Sequence, residues 1–425
     1  MKQPPLITPR EVDVPRAQRH TLPNGASLYA IPSDDFEVLR FTFVFRAGSS
    51  MQHAPFAASA TANMLSEGSR DMTARQIAER LDFHGSYFEV NVDRDYVYIS
   101  FSSLSKFFGP TLEVAEQILL QPLFPEDELR AYCEKRKQTL TIERRKVDTV
   151  VREIFAEALF GDKHPYGISY PEKDYDTLTR ADLESLYRRL YTAENCLVVC
   201  SGRIGEEELQ GIGALAEKLP RADRSATADF PAPRSEAYRF VERPDAVQSS
   251  LRVGRLLFTR THPDFVGMQV VATVLGGYFG SRLMQNLRGE HGYTYGVGAA
   301  MVNFEREGYL GIAAQVGAEV TAPALREIYN EIERLRREPM PEEELSLVKN
   351  IMTGEVMRIL DGPFGIADVT IENLLCGTNN DVIEENIRRI QAITPAEVQR
   401  LAVKYLRRED LITAVVGAVD PFTKL

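Results

Sequence analysis

The sequence predicts an α+β protein of two homologous α/β units in tandem, each a mostly antiparallel mixed sheet packed with helices. Three observations carry this. The length, 425 residues, exceeds one ordinary core and suits two domains of about 200 residues. Segments recur in order. Leu178–Leu186 (LTRADLESL) resembles Ile393–Leu401 (ITPAEVQRL), and Gly202 and Gly417 each close an apolar strand, both at an offset of 215. Pro125–Leu129 (PEDEL) matches Pro341–Leu345 (PEEEL) at 216, and His84-Gly85 matches His291-Gly292 at 207. These are long duplicated units rather than solenoid repeats. Third, SYFEVNVDRDYVYISF holds two strands too close together for a crossover helix. They must pair antiparallel, which excludes a doubly wound parallel sheet.

The elements of the first unit, residues 1–220, follow from local pattern. ASLYAIPS and VLRFTFVFRAG read as a pair of strands. An alanine-rich helix spans about Pro55 to Ser66. The next helix has Thr73 as its N-cap and ends at Gly85. After the antiparallel strand pair come helices at Lys106 to Leu120, at Pro125 to about Arg145, and from Asp148 into the region of Phe160. A helix near Ala181 to Leu190 leads into the apolar strand CLVVC. Residues 221–235 read as a linker, because Leu219 to Ala237 is rich in Pro, Ala and Ser and lacks apolar periodicity. The second unit then runs over 236–425. Within it, EIERLRREPMPEEEL reads as an exposed helix and turn.

Composition narrows the function. Hydrophobic residues are 44% and charged residues 26%, so extensive disorder is excluded. A net charge of −11 and a pI near 5.3 argue against nucleic acid or an anionic membrane as partner. Four cysteines are too few for a disulfide scaffold. Cys196 and Cys200 lie on one face of a buried strand and read as core thiols, while Cys133 and Cys376 are isolated, a pattern that suits a reducing compartment. The first residues lack a signal-type apolar core. The most apolar stretch, Phe265 to Gly280, is too short and too interrupted to span a bilayer. The expected location is cytoplasmic.

The residues alone display no catalytic engine. No two of the six histidines lie three or four apart, and HExxH, HxxEH, GxSxG and P-loop patterns are absent. GGYFGSRL is glycine-rich but does not end in the Lys of a phosphate loop.

The order of longer motifs is more informative. HTLPNGASLYAIPS, VLRFTFVFRAGS, HPYG (His164 to Gly167) and LGGYFGSRLMQNLRGEHGYTYGV (Leu275 to Val297) span nearly the whole chain. Together they resemble the pitrilysin/insulinase (M16) family of zinc peptidases, in its small-subunit branch related to mitochondrial processing peptidase. The family's zinc motif, HxxEH, places two histidines on one helical face with a glutamate as general base. Aligned on PFAASATANMLSEGS, the motif falls on Ser59 and Asn63 at the histidine positions and Ala62 at the glutamate position. Neither Ser nor Asn is a useful Zn²⁺ ligand there, and Ala accepts no proton. Glu143 stands nearest the place of the third ligand. The resemblance therefore implies no metal and no cofactor in this chain, with zinc held by a partner.

In this branch one subunit carries HxxEH and the other supplies an Arg and a Tyr seven apart. Arg288 and Tyr295 have that spacing. The resemblance implies that both reach across the interface and donate hydrogen bonds to the substrate carbonyl or developing oxyanion. Gly276, Gly277, Tyr278 and Phe279 form a possible substrate-contact loop. The implied function is the non-catalytic, substrate-gripping subunit of a heterodimeric zinc endopeptidase acting on peptides or unfolded segments. A homodimer, possible in isolation, would be chemically silent. The alternative is a peptidase-derived scaffold or interaction protein, which would need neither Arg288 nor Tyr295.

Overall fold

A computed structural model describes residues 14–221 and 230–424. The first sheet contains β1 (Gln18–Thr21), β2 (Ser27–Pro32), β3 (Val38–Phe45), β4 (Tyr87–Val92), β5 (Val97–Leu104) and β6 (Cys196–Gly202). Their order is β1-β2-β6-β3-β5-β4. The second contains β7 (Tyr238–Glu242), β8 (Gln248–Leu257), β9 (Thr294–Asn303), β10 (Gly308–Gly317) and β11 (Ile412–Gly417), in the order β7-β11-β8-β10-β9. Without β1 the two orders coincide strand for strand. Among the described strands only β2 with β6 and β7 with β11 pair in parallel. The α+β class and its repetition are as expected.

One expected pairing does not form. β2 and β3 are not neighbours, because β6 lies between them, parallel to the first and antiparallel to the second. The reason is burial. β6 is apolar on both faces, and such a strand belongs in a sheet's interior rather than at its edge.

The helices of the first half are α1 (Ala57–Asn63), α2 (Ala74–His84), α3 (Phe108–Leu120), α4 (Glu126–Glu143), α5 (Val147–Phe160), α6 (Arg180–Leu190) and α7 (Glu206–Glu217). Those of the second are α8 (Phe265–Ala272), α9 (Thr321–Arg337), α10 (Glu342–Ile359), α11 (Pro363–Leu375), α12 (Asp381–Ala392) and α13 (Pro395–Tyr405). The sequence repeats are structural repeats. α4 and α10 are both 18 residues long and both follow a proline. Thr179 and Thr394 each accept a capping hydrogen bond from the third residue of the following helix. Gly85 and Gly292 have φ of 61° and 65°, the left-handed conformation that glycine adopts at least cost, and each leads into an edge strand. Thr73 and Gln76 form the capping box of α2. α7, which the sequence reading passes over, buries Ile212, Leu215 and Ala216 in the first core.

Each sheet has its own core on one face. Phe41, Phe43 and Phe45 alternate along β3 into the first, with α1, α3 and α6 packed over them. Cys196 and Cys200 are buried there as free thiols. The other faces are covered by exchange. α5 of the first half lays Val150, Val151 and Ala158 against Ile412, Ala414 and Val416 of β11. α11 of the second half lays Ile366, Ala367 and Ile371 against Ile31, Val44 and Val199 of the first sheet. The stretch expected to be an exposed helix and turn is amphipathic instead. It buries Ile332, Leu335, Met340 and Leu345, the apolar stripe of α9 and the start of α10.

A polar joint also ties the halves. Asp95, only 5% exposed, accepts hydrogen bonds from Tyr166 Oη (2.7 Å), Ser50 Oγ (3.1 Å) and the Glu305 backbone N–H (2.8 Å). Glu305, on the β9–β10 turn, accepts from Arg46 Nε at 2.6 Å. HPYG is thus part of this joint. His164 Nδ1 accepts the Tyr166 backbone N–H, and a Cβ on Gly167 would lie 2.3 Å from the Gly161 carbonyl oxygen. Of the expected linker, residues 222–229 lie outside the described residues. Its described end is held, since Arg234 N–H donates to the Phe160 carbonyl at 3.0 Å. Among the described residues no helix is long and apolar enough to cross a membrane.

Candidate functional site

α1 is where the zinc motif would stand. Its alanines let it lie close to α6 and to β4, and Ala57, Ala58, Ala60 and Ala62 have no exposed surface. Phe56 precedes it in a left-handed conformation (φ 63°) and stacks on Tyr175, ring centroids 3.8 Å apart. Ser59 Oγ donates to the Phe56 carbonyl (3.1 Å), and Asn63 Nδ2 donates to the Ser59 carbonyl (2.7 Å). Two of the three motif positions therefore satisfy their own helix, and the third is a buried methyl.

The neighbours of α1 oppose a metal as well. Tyr132 of α4 lies beside Ser59, and burial pushes its hydroxyl up to about 12. Arg136, one turn further on, lies against the Tyr132 and Tyr175 hydroxyls. Burial disfavours its charge, but the two hydroxyls more than offset this, so the guanidinium stays firmly protonated. Zn²⁺ would meet a resident cation there rather than imidazole or carboxylate, and the residues present do not fit it. Glu143 lies seven residues beyond Arg136, about 10 Å along the axis, and pairs with Lys146 at 2.7 Å. The structure does not bring it to Ser59 and Asn63. Among the described residues no three His, Cys, Asp or Glu side chains are grouped to hold a metal ion.

The second-half motif does converge. Residues Thr273–Gly277 and Met284–Glu290 are π-helical, an irregularity frequent at functional sites. Gly276 lets this segment touch β9, since a Cβ there would lie 2.5 Å from the Ala299 nitrogen. A Cβ on Gly277 would press on Thr273 at 3.0 Å. Tyr278 turns inward and packs on the second core, whereas Phe279 is 71% exposed. Arg282 forms a two-pronged ion pair with Glu344, both contacts at 2.8 Å. Asn286 donates to Glu331 (2.9 Å) and Glu327 (3.1 Å). These anchors fix the backbone that carries Arg288.

The Arg288 guanidinium carbon lies 4.7 Å from the Phe279 ring centroid and 4.8 Å from that of Tyr295. Tyr295 is the second residue of β9 and is 87% exposed. Arg288 forms no hydrogen bond or ion pair with its side chain among the described residues. Three of the residues singled out from the sequence thus form one surface cluster, with half-buried Arg288 flanked by the exposed rings of Phe279 and Tyr295. Gly276 and Gly277 shape its backbone, and Tyr278 faces away. Sequence reasoning missed Tyr132, Arg136 and Tyr175. Nothing in the charged run EKRK distinguishes Arg136 from a solvated helix residue.

Comparison with known proteins places this geometry. Residues 177–352 match the model of the peptidase M16 inactive domain, a span that does not include α1. An uncharacterized zinc protease, YmxG, of Bacillus subtilis is 22% identical over 364 residues, covering 84% of this chain and 86% of the relative. An uncharacterized zinc protease of Mycobacterium tuberculosis is 28% identical over 271 residues, 61% of each. The probable mitochondrial-processing peptidase subunit beta of Arabidopsis thaliana is 21% identical over 429 residues, covering 96% of this chain and 80% of that one. Among solved structures, a peptidase M16 inactive domain from Pseudomonas fluorescens superposes with a TM-score of 0.86 at 23% identity, over 95% of this chain and 98% of that one. A protease from Helicobacter pylori gives 0.86 at 16%, over 95% and 100%. Residues 177–352 are thus similar to the peptidase M16 inactive domain, and the chain shares the two-sheet fold of the solved M16 peptidase-like structures.

Proposed function

We propose that this chain is the non-catalytic, substrate-gripping subunit of a heterodimeric zinc metalloendopeptidase that acts on peptides or unfolded segments. Its partner is a homologous subunit bearing HxxEH, and the zinc belongs to that partner. The observation that carries the reading is the contrast between the two motif sites. The metal helix offers no ligand at the motif positions, while half-buried Arg288 and exposed Tyr295 stand together, with no carboxylate paired to Arg288 among the described residues. Likeness to a processing-peptidase beta subunit supports a paired assembly.

In that assembly Arg288 and Tyr295 donate hydrogen bonds to a substrate carbonyl in the partner's site. Preorganised donors act most strongly where charge develops in the transition state. The open edge of β4 supports a grip on extended chains. It adjoins α1, its outward residues Tyr87, Glu89 and Asn91 are exposed, and its outer backbone groups are free for an added strand. A pure scaffold accounts for the dismantled helix but leaves the Arg–Tyr cluster without a purpose.

The test is reconstitution. The chain alone is expected to be inert on unfolded peptides, and activity is expected on mixing with a homologous HxxEH subunit. Arg288→Ala and Tyr295→Phe should each lower kcat about 10²-fold while the complex elutes unchanged. A stable complex that cleaves equally fast with Arg288→Ala sinks the assignment.

A further inference from the structure

We infer that Phe279, Arg288 and Tyr295 form a carboxylate clamp, so that the chain prefers peptides presenting a carboxylate at this point. The inference rests on the substrate-gripping reading and names what is gripped. A guanidinium is planar, with donors at its edge and apolar faces. Two aromatic rings within 5 Å occupy the surroundings of the Arg288 guanidinium and restrict its motion. Its N–H fork has no acceptor among the described residues. Of the neighbouring carboxylates, Glu344 is engaged by Arg282, Glu327 and Glu331 by Asn286, and the exposed Glu290 of the same segment forms no ion pair with Arg288 among the described residues. In a chain of net charge −11 this leaves a fixed, unneutralised cation at an exposed aromatic surface.

The ligand that matches a fixed fork is a carboxylate, which takes two parallel N–H···O bonds and neutralises the charge. A neutral carbonyl offers one oxygen and no charge. The exposed Phe279 and Tyr295 rings supply apolar contact for the methylenes of a glutamate or for the flat peptide unit beside a chain terminus. Phe279 is a positioning residue, since it acts through Arg288.

The test is fluorescence anisotropy of the full chain with three labelled peptides of one sequence. The first has a central Glu and an amidated end, the second a central Gln and an amidated end, and the third the Gln with a free C-terminal carboxylate. The first or the third should bind about tenfold tighter than the second, and which one does so identifies the source of the carboxylate. Arg288→Gln should erase the difference. Arg288→Lys should keep the salt dependence but lose most of the discrimination, because an ammonium lacks the fork. Phe279→Ala should reduce it in part. A circular-dichroism melt verifies that each variant is folded. Equal binding of all three peptides, or discrimination that survives Arg288→Gln, overturns the clamp. If discrimination is absent while Arg288→Ala still cripples the reconstituted heterodimer, the clamp fails and the subunit reading stands. If discrimination is present but no HxxEH subunit yields proteolysis, the clamp stands alone.

Discussion

Tyr166→Phe isolates the joint between the halves. The substitution deletes one hydroxyl and no carbon, so no cavity opens. The ring keeps its neighbours Phe304, at 4.5 Å between centroids, and Phe230, at 5.4 Å. What is lost is the 2.7 Å donation to Asp95, a carboxyl almost entirely out of water. A hydrogen bond to a charged, buried acceptor contributes about 2 kcal/mol, and Asp95 retains Ser50 and the Glu305 amide, so the loss should be about that size. The pH dependence gives a second reading. Burial raises the Asp95 carboxyl, and the Tyr166 hydroxyl opposes that shift. A carboxyl whose folded value lies above its unfolded one contributes most below the unfolded value and loses stability as pH rises through the folded value. Removing the hydroxyl raises the folded value further. The penalty should therefore be larger at pH 8 than near pH 4, where the protonated acid needs less help. Urea unfolding of both proteins at the two pH values measures this. A difference below about 0.5 kcal/mol at both, or one that grows on acidification, refutes the account of the joint.

Two further outcomes follow from other sites. Restoring the motif with Ser59→His, Ala62→Glu and Asn63→His together is expected to leave zinc near zero by elemental analysis, because Arg136 stays in place. It should also cost about 3 kcal/mol or more, since the new carboxyl at position 62 has no exposed surface. About one zinc per chain would show that Arg136 yields. On the second half, partial burial alone would raise the Asp264 carboxyl, but hydrogen bonds from Lys404 and Tyr405 outweigh it and hold it at about 2. A depressed carboxyl stabilises above its unfolded value and loses that contribution as pH falls through the folded one. Lys404→Met should thus lower the melting temperature at pH 7. The difference should shrink as pH falls from about 4 through 2, where Asp264 takes up its proton. A difference constant across that window would mean that Lys404 acts through packing.

What could be read from the sequence was local or repeated. The Thr73–Gln76 box, the glycine ends at 85 and 292 and the paired threonine caps before α6 and α13 are each written within a few residues. The duplication was legible because the same local signals recur. The placement of β6 between β2 and β3 was not, since it depends on a strand more than 150 residues away. Nor was the destination of α5 and α11. Periodicity says that Val150, Val151 and Ile366, Ala367 share an apolar face, but not which sheet that face meets. At the candidate site, the vacancy of the zinc motif and the Arg288–Tyr295 spacing carried meaning only through the family resemblance. Arg136 gave no signal, because its role arises from Tyr175, which comes from a different part of the chain.

The crossed covering of the sheets by α5 and α11 bears on how such a chain can change over time. The second sheet takes its outer wall from the first half, and the reverse holds for α11. Neither piece is a complete fold. Severed within residues 222–229, the two fragments should stay insoluble when made separately and recover a native assembly when made together, as a split protein does. The exchange thus turns two repeated halves into one indivisible body, in which neither half can be lost without exposing an apolar sheet face of the other.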